Sequence, residues 1–314
     1  MTNKDKYRHL CKTELSIPLF SRDWWLDIVC GEDNWEVLLI EKDQHVIATI
    51  PLYKPLKDIV SMPPYTQTMG PWLAEEKKGP KYTTVLGRRQ TLCKELIDLL
   101  EPCKSFLQNF NYAITDWLPF YWKGFKQTTR YTYILEDISS SNTTLENLST
   151  NIQRNISKAK NKNGVTVRRG IAINDFLKVQ QSTFERQGLS PKSQKVLVLL
   201  IEECKKRNQG ELWGGYDSEG HLHAAVFVAW QESSAYYIAG GGDTKLRNSG
   251  AHSLVMWEAI QYVSTFTNRF DFEGSMIPGV ERFFRGFGAT QLPYFTITKG
   301  KLSLLDRIRI KLHV

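Results

Sequence analysis

Hydrophobic and polar positions in the first half of the chain follow a strand period, then a helix period, then a strand period again. The segment EVLLIEKDQHVIATIPLY (36–53) has two apolar runs around a polar centre, which predicts a β-hairpin. Apolar residues at helical spacing across 83–107 predict a helix that ends near Pro102. Residues 111–120 predict a strand leading into a turn, and residues 121–136 predict a short helix or turn followed by a strand.

The second half repeats this order of elements. Its patterns predict a hairpin, a strand, a helix, a strand, a short helix and a final strand, at 211–230, 233–243, 251–266, 268–275, 279–288 and 291–300. Two short matches join the halves: YWKGFKQT (121–128) aligns with FFRGFGAT (283–290), and DQHVIA aligns with EGHLHA. The shared order and the matches predict a duplicated α/β domain.

A linker-like stretch separates the halves. SSSNTTLENLSTNIQRNISKAKNKNG (139–164) opens with a Ser/Thr/Asn run, which is typical of linkers and of helix N-caps. One side of the helix predicted after it carries Leu145, Leu148, Ile152, Ile156 and Ala159. We therefore predict an N-terminal domain at 1–140, a linker and basic helix at 141–164, and a C-terminal domain at 165–314.

With 41% hydrophobic and 24% charged residues, the 314-residue chain has the composition of a soluble globular protein. No apolar run is long enough to span a bilayer, and the N-terminus lacks the apolar core of a signal peptide, so we expect a cytoplasmic location. The five cysteines fit no zinc or redox spacing and are expected to be reduced thiols, most of them buried. The net charge of +8 suggests an anionic partner: a phosphate-bearing small molecule, a nucleic acid or a membrane surface.

Positive charge is concentrated after the linker. Between Asn147 and Asn174 there is no acidic residue, and the cations there are Arg154, Lys158, Lys160, Lys162, Arg168 and Arg169. Two interpretations fit this stretch: a solvated helix face, or a rim that binds phosphate groups.

A glycine-rich turn precedes the helix predicted at 251–266. Gly240, Gly241 and Gly242 end a strand, and the loop then reads LRNSGAH (246–252). Glycines at a helix start allow backbone N–H groups to approach an anion, and the helix dipole favours negative charge there. The loop therefore predicts a pyrophosphate site, with a plain turn as the alternative.

Two acids end the strand in FDFEGSMIPGVERFFRGFGA (270–289). Alternation along a strand puts Asp271 and Glu273 on one face, opposite the phenylalanines. Carboxylates in this position would bind an amine or take its proton. The alternative is that one of them caps the following turn or pairs with Arg282 or Arg285.

Several other kinds of site are not indicated. His221 and His223 alternate along a strand without a third ligand, so no metal site is expected. The sequence has no G-x-S-x-G, Walker or protein-kinase motif, and no helix-turn-helix, zinc-finger or RNP pattern. DNA binding is therefore not expected.

A family resemblance is carried by QRNISKAKNKNGVTVRRG, by the helix around FLKVQQSTFERQG, by AYYIAGGG with SGAHSLVMWEAI, and by FDFEGSMIPGVERFFRGFG. The segment from Ile152 to Gly300 resembles the second domain of the Fem-type GNAT acyltransferases, a family that also holds the peptidoglycan aminoacyltransferases. The N-terminal half resembles a degenerate first GNAT domain. The resemblance implies an α/β fold of the α+β mixed-sheet kind, with two tandem GNAT-like domains.

The resemblance also implies a reaction, in which an acyl group passes from a thioester or ester donor to an amine. The donor pyrophosphate in such enzymes lies on a Q/R-x-x-G-x-G/A loop, which Arg247 and Gly250 match and which His252 does not. The implied donor-binding residues are Arg247, Asn248, Ser249, Gly250, Ala251 and His252.

The acyl-transfer hypothesis also gives roles to the other candidates. Glu273 would orient or deprotonate the amine, with Asp271 in support. Tyr236 or Tyr237 would protonate the leaving thiolate. An anionic acceptor, such as a nucleotide-sugar, would contact Arg154, Lys158 and Arg285.

Two departures from the aminoacyl-tRNA-using members favour acyl-CoA, such as acetyl-CoA, as the donor. The second domain has no room for a long coiled-coil arm, and Phe284 stands where many of those members have a lysine. The leading hypothesis is an N-acyltransferase acting on an amine of an amino-sugar or cell-envelope precursor. The alternatives are an aminoacyltransferase using aminoacyl-tRNA on a peptidoglycan precursor, and a non-catalytic binding protein on a GNAT scaffold.

The tail KGKLSLLDRIRIKLHV (299–314) mixes apolar residues with cations. This composition suits either a terminal helix docked on the body or peripheral contact with a membrane surface. The docked helix is the favoured interpretation.

Overall fold

The computed structural model describes residues 1–75, 79–138, 145–188, 193–303, 305–306 and 310. The chain divides into two compact units, one from Met1–Arg130 with Pro293–Val314 and the other from Tyr131–Leu292. The second unit starts before the predicted boundary at 140 and includes the basic helix, because Ile152 and Ile156 of that helix pack in its core. The predicted tail helix lies mostly outside the described residues.

Nine α-helices and twelve strands lie in the described residues. The helices are α1 (Asn3–Thr13), α2 (Asp23–Cys30), α3 (Tyr82–Asp98), α4 (Leu118–Trp122), α5 (Thr150–Ser157), α6 (Ile173–Gln187), α7 (Gln194–Lys206), α8 (Ala251–Val263) and α9 (Pro278–Arg285). The strands are β1 (Trp35–Lys42), β2 (His45–Leu56), β3 (Ile59–Ser61), β4 (Trp72–Leu73), β5 (Ser105–Asn109), β6 (Lys126–Leu135), β7 (Thr166–Arg169), β8 (Gly210–Tyr216), β9 (Leu222–Gln231), β10 (Ser234–Gly242), β11 (Arg269–Asp271) and β12 (Thr290–Gly300). A π-helical turn, Lys158–Lys162, continues α5, and a 3₁₀ turn, Arg247–Ser249, precedes α8.

In the first unit, the sheet has the strand order β1-β2-β3-β5-β12, with β4 beside β2. β3 and β5 are parallel, whereas β1 with β2 and β5 with β12 are antiparallel. Helix α3 covers this sheet with Cys93, Leu96 and Ile97, which pack in one core with Phe106 and Phe110. The predicted first hairpin and the predicted helix before Pro102 are confirmed.

The strand predicted at 111–120 is wrong, since the strand of this region is β5, which ends at Asn109. Two side chains turn the backbone after it. Asn111 Oδ1 accepts from the N–H of Ala113 at 2.9 Å, and Asp116 Oδ1 accepts from the N–H of Leu118 at 2.9 Å. Short polar side chains that bind the backbone two residues on compete with a strand ladder, which explains why the apolar pattern misleads here.

In the second unit, the sheet has the strand order β7-β8-β9-β10-β11-β6. β10 and β11 are parallel, and the other neighbours are antiparallel. Helices α5 and α8 cover one face, where Ile152, Ile156, Leu254 and Val255 join the core. Helix α6 covers the other face, beside β10 and β9.

The duplication predicted from the sequence is confirmed in the order of elements. Each half runs through a hairpin, a strand, a helix, a strand parallel to the previous one, a short helix and a last strand. The helix–strand pair α4–β6 corresponds to α9–β12, which are the segments joined by the YWKGFKQT and FFRGFGAT match. The fold is therefore the predicted tandem α/β arrangement of mixed sheets.

None of the helices that the structure describes is long and apolar enough to cross a bilayer. All five cysteines are free thiols, of which Cys11, Cys30, Cys93 and Cys204 are buried.

Candidate active site

A cavity of about 530 Å³ opens in the second unit beside the last residues of β10, beyond the point where β10 pairs with β11. Their parallel pairing ends at Tyr236 and Asp271, while β10 continues to Gly242 on its other neighbour, β9. The cavity wall takes residues from α5, α6, the end of β10, the loop before α8, and α9. Two strands that diverge in this way leave a cleft that backbone hydrogen bonds do not fill.

A β-bulge directs Tyr237 into this cavity. Along β10, Tyr237 pairs with Val228 and Ala239 pairs with Phe227, so one extra residue lies between them. Such a bulge re-aims the neighbouring side chains. The ring of Tyr237 contacts Phe284 and His252 edge-on, with centroids 5.8 Å and 6.4 Å away.

The three glycines that end β10 line the cavity, and two of them are required by internal packing. A Cβ at Gly240 would lie 2.4 Å from the Tyr237 hydroxyl, and one at Gly241 would lie 2.7 Å from the Val179 carbonyl oxygen of α6. Gly242 donates its N–H to Thr183 Oγ1 at 2.9 Å. Gly240 and Gly241 therefore make room for Tyr237 and α6, a requirement that is separate from approach to an anion.

Burial, together with the negative charge of Glu273, raises the pKa of Tyr237. The phenol is therefore protonated at neutral pH, and the Glu273 carboxylate is close enough to act on it electrostatically. Tyr236 is buried and stands opposite Asp271 in the ladder. Of the two candidate tyrosines, Tyr237 lines the cavity.

The predicted pair of acids does not continue as a strand. β11 ends at Asp271, and Glu273 has a left-handed backbone with φ of 60°. Asp271 is 4% exposed and accepts from Thr132 Oγ1 and from the N–H of Glu273, the latter at 2.7 Å. Asp271 therefore holds the turn that carries Glu273. Burial raises the pKa of Asp271 to about 6, against the lowering effect of these two hydrogen bonds.

The next residue fixes the turn to β6. A Cβ at Gly274, whose φ is 62°, would lie 2.0 Å from the carbonyl oxygen of Tyr131. The N–H of Phe272 donates to the carbonyl oxygen of Tyr133 at 2.9 Å. The acidic turn is thus built on Tyr131–Tyr133, a stretch far away in the sequence.

The loop before α8 rests on the basic helix. Gly250 has φ of 85°, and a Cβ there would lie 2.2 Å from the carbonyl oxygen of Asn155. Asn163 Nδ2 donates to the carbonyl oxygen of Ser249 at 3.0 Å. These contacts bring the loop and the basic helix to one wall of the cavity.

The predicted site residues divide into two groups. The cavity wall contains Lys158, Tyr237, Arg247, Asn248, Ser249, Gly250 and His252. Six other predicted site residues lie outside this wall: Arg154, Tyr236, Ala251, Asp271, Glu273 and Arg285. Ala251 packs in the core, and Arg285 pairs with Glu281 at 2.8 Å, four residues earlier on α9.

Sequence reasoning missed Asn155, Phe283 and Thr132. Asn155 and Phe283 line the cavity, and Thr132 binds Asp271 from β6. The spacing of Asn155 and Lys158 on one helix face was an available signal for the first. Nothing local marks Thr132, because its partner is 139 residues away.

His221 and His223 share one carboxylate. Each places a ring nitrogen 3.1 Å from Asp217 Oδ2, and these hydrogen bonds hold the pKa of Asp217 well below its usual range. Within the described residues, no group of three or more His, Cys, Asp or Glu side chains is arranged to hold a metal ion.

Residues 146–285 match the acetyltransferase (GNAT) domain family. The matched segment is therefore an acetyltransferase (GNAT) domain. All wall residues of the cavity described above lie within this segment. None of the curated proteins matches the sequence significantly.

Solved structures share the fold over almost the whole chain. A structure of FemX has a TM-score of 0.66 at 13% identity and covers 99% of this chain and 98% of its own. L-PGS from Bacillus licheniformis has a TM-score of 0.55 at 11% identity, with 99% and 96% covered. A tandem GNAT protein from the clavulanic acid biosynthesis pathway has a TM-score of 0.53 at 9% identity, with 96% of each chain covered.

The close contact at Gly250 predicts a large effect of adding one methyl group at this position. A left-handed alanine costs roughly 1–2 kcal/mol, and overpacking against Asn155 adds about 1–3 kcal/mol. Gly250→Ala should therefore lower the free energy of unfolding by more than Gly220→Ala, since Gly220 has φ of 86° and open space around it. Urea denaturation of both variants measures the difference, and equal losses would contradict the contact.

The raised pKa of Asp271 predicts a pH-dependent stability. The folded pKa of about 6 lies above the ordinary value of 3.8, so the proton bound to Asp271 favours folding below pH 4, and this contribution is lost as pH rises through 6. Between pH 4 and pH 7, the wild type should lose roughly 2 kcal/mol relative to Asp271→Asn. Parallel stability curves for the two proteins would contradict the assignment.

Proposed function

We propose that the protein is an N-acyltransferase that moves an acyl group from acyl-CoA to an amine of an amino-sugar or cell-envelope precursor. The observation that carries the proposal is the cavity at the end of β10. Its wall combines the Arg247–Gly250 loop, which suits donor phosphates, with the Tyr237 phenol, which suits the reacting end of the donor. The matched GNAT domain supports acyl transfer as the reaction class.

In this proposal the residues have separate roles. Glu273 takes a proton from the acceptor amine, directly or through one water, and the amine nitrogen attacks the thioester carbonyl. The new C–N bond forms, the C–S bond breaks, and the leaving thiolate takes a proton from Tyr237. The place of Tyr237 in the cavity wall, among the residues before α8 and on α9, supports this role. Asp271 supports Glu273 by holding its turn.

Two features favour acyl-CoA over aminoacyl-tRNA as the donor. Phe284, at the position of the lysine in many tRNA-using relatives, is buried and stacks on Phe272 with ring centroids 5.3 Å apart. Helices α6 and α7 both pack on the sheet, against β10 and β8. Neither helix therefore serves as a projecting arm for tRNA.

The second candidate is an aminoacyltransferase that draws on aminoacyl-tRNA and acts on a peptidoglycan precursor. The fold likeness to FemX over nearly the whole chain favours it, and the net charge of +8 suits a nucleic acid. A cytoplasmic location, as both candidates require, stays a prediction.

Donor binding separates these candidates. Acetyl-CoA at about one hundred times its Kd should stabilise the protein by roughly 2.7 kcal/mol and raise its Tm. A thermal-shift panel of acetyl-CoA, longer acyl-CoAs and UDP-sugars measures this, alongside tRNA binding at several salt concentrations. Steeply salt-dependent tRNA binding without any acyl-CoA shift would replace the first candidate by the second.

Substitution of the proposed base tests the mechanism. Glu273→Gln should lower kcat for acetyl transfer to the accepted amine by at least about one hundredfold, since general-base catalysis contributes 10²–10⁴. The Kd for acetyl-CoA should stay unchanged. Glu232→Gln, at an exposed position in the β9–β10 turn, is the control. A folded Glu273→Gln variant with full activity would remove Glu273 from this role.

A further inference from the structure

The six cations of the basic stretch divide by what they contact. Lys160 pairs with Glu258 at 2.9 Å. Arg168 lies over the ring of Tyr216 at 4.7 Å, and Arg169 lies over the ring of Tyr262 at 4.2 Å. These three cations therefore have partners inside the second unit. Arg154, Lys158 and Lys162 are exposed and have no acidic partner among the described residues.

Lys158 is the member of the remaining three that lines the cavity. Asn155 lines it as well, one helical turn earlier on the same face. Arg247, on the loop at the same wall, is also exposed and has no acidic partner among the residues described. Two uncompensated cations from separate elements therefore face one cavity.

The helix is shaped to meet the loop. The π-helical turn Lys158–Lys162 follows α5, and at its end the N–H of Asn163 donates to the Lys158 carbonyl oxygen at 3.1 Å. Asn163 Nδ2 then reaches the Ser249 carbonyl oxygen, and Gly250 lies against the Asn155 main chain. π-Helical turns are rare in proteins, and those that occur are often found at functional sites. Here the turn fixes Lys158 relative to the loop that bears Arg247.

We propose that Lys158 and Arg247 form a two-cation clamp for a phosphate group of the acyl donor. The inference rests on the proposed function for the existence of that donor. It assigns the basic helix to the donor rather than to an anionic acceptor. The recognised chemistry is a diphosphate or phosphodiester, which either acyl-CoA or the acceptor end of a tRNA supplies. Charge-assisted hydrogen bonds from both cations would add to those from backbone N–H groups at the start of α8.

The test compares Lys158→Gln, Arg247→Gln and the double variant with Lys162→Gln, which removes the same charge from the same stretch outside the cavity wall. Calorimetry measures the Kd for inorganic diphosphate, acetyl-CoA, S-acetylpantetheine and unacylated tRNA. Lys158→Gln and Arg247→Gln should each weaken acetyl-CoA about tenfold, as expected for a hydrogen bond to a charged group. Neither should change the Kd for S-acetylpantetheine, which has no phosphate.

The outcomes separate the clamp from the proposed function. If acetyl-CoA binds and Lys158→Gln changes its Kd no more than Lys162→Gln does, the clamp is wrong while the acyl-CoA donor stands. If Lys158→Gln weakens the binding of tRNA and diphosphate but acetyl-CoA does not bind at all, the clamp stands and the donor is aminoacyl-tRNA. If the wild type binds none of the phosphate-bearing probes, both the clamp and the proposed donor are wrong.

Discussion

The contact between Gly250 and the main chain of Asn155 is the constraint on which the site depends. Any side chain at position 250 would meet the Asn155 carbonyl oxygen, and the left-handed φ of 85° also favours glycine. With glycine there, the loop before α8 lies directly on the basic helix. The backbone N–H groups of the loop, Arg247 and Lys158 then share one cavity wall. The positive charges of Lys158 and Arg247, which are far apart in the sequence, therefore face the same cavity.

The acidic side of the site depends on a different kind of constraint. Glu273 holds a left-handed backbone that glycine would adopt more easily, and the turn stays in place because Asp271, Thr132 and the β6 backbone bind it. Strain of this kind persists where the surroundings over-determine it, and it is common at functional sites. The buried carboxyl of Asp271 is costly at neutral pH. The same carboxyl accepts the hydrogen bond from the N–H of Glu273 and so fixes the position of Glu273.

Much of the fold follows from local patterns. Strand and helix periods predict both hairpins, α3, α8 and α9, and the match between YWKGFKQT and FFRGFGAT predicts the duplication. The strand expected at 111–120 fails because the side chains of Asn111 and Asp116 turn the backbone, an effect that an apolar count does not include. The pairing of Arg285 with Glu281 was readable from their spacing of four on a helix.

The site is only partly readable from sequence, because its geometry depends on contacts between distant segments. The loop from Arg247 to Gly250 is visible as glycine and cation chemistry before a helix. Its contact with Asn155, the bulge that aims Tyr237 and the bond from Thr132 to Asp271 are not visible, since each requires a partner from another element. For the same reason, the six cations of the basic stretch look alike in sequence and differ in structure.

A crystal structure of the protein with acetyl-CoA bound would show directly which residues hold the donor. We expect the diphosphate to lie against the backbone of Arg247–Gly250, with the Lys158 ammonium and the Arg247 guanidinium within hydrogen-bond distance of its oxygens. We also expect the thioester sulfur to lie beside the Tyr237 hydroxyl. Acetyl-CoA bound outside this cavity, or bound in it with the diphosphate away from Lys158 and Arg247, would contradict the account.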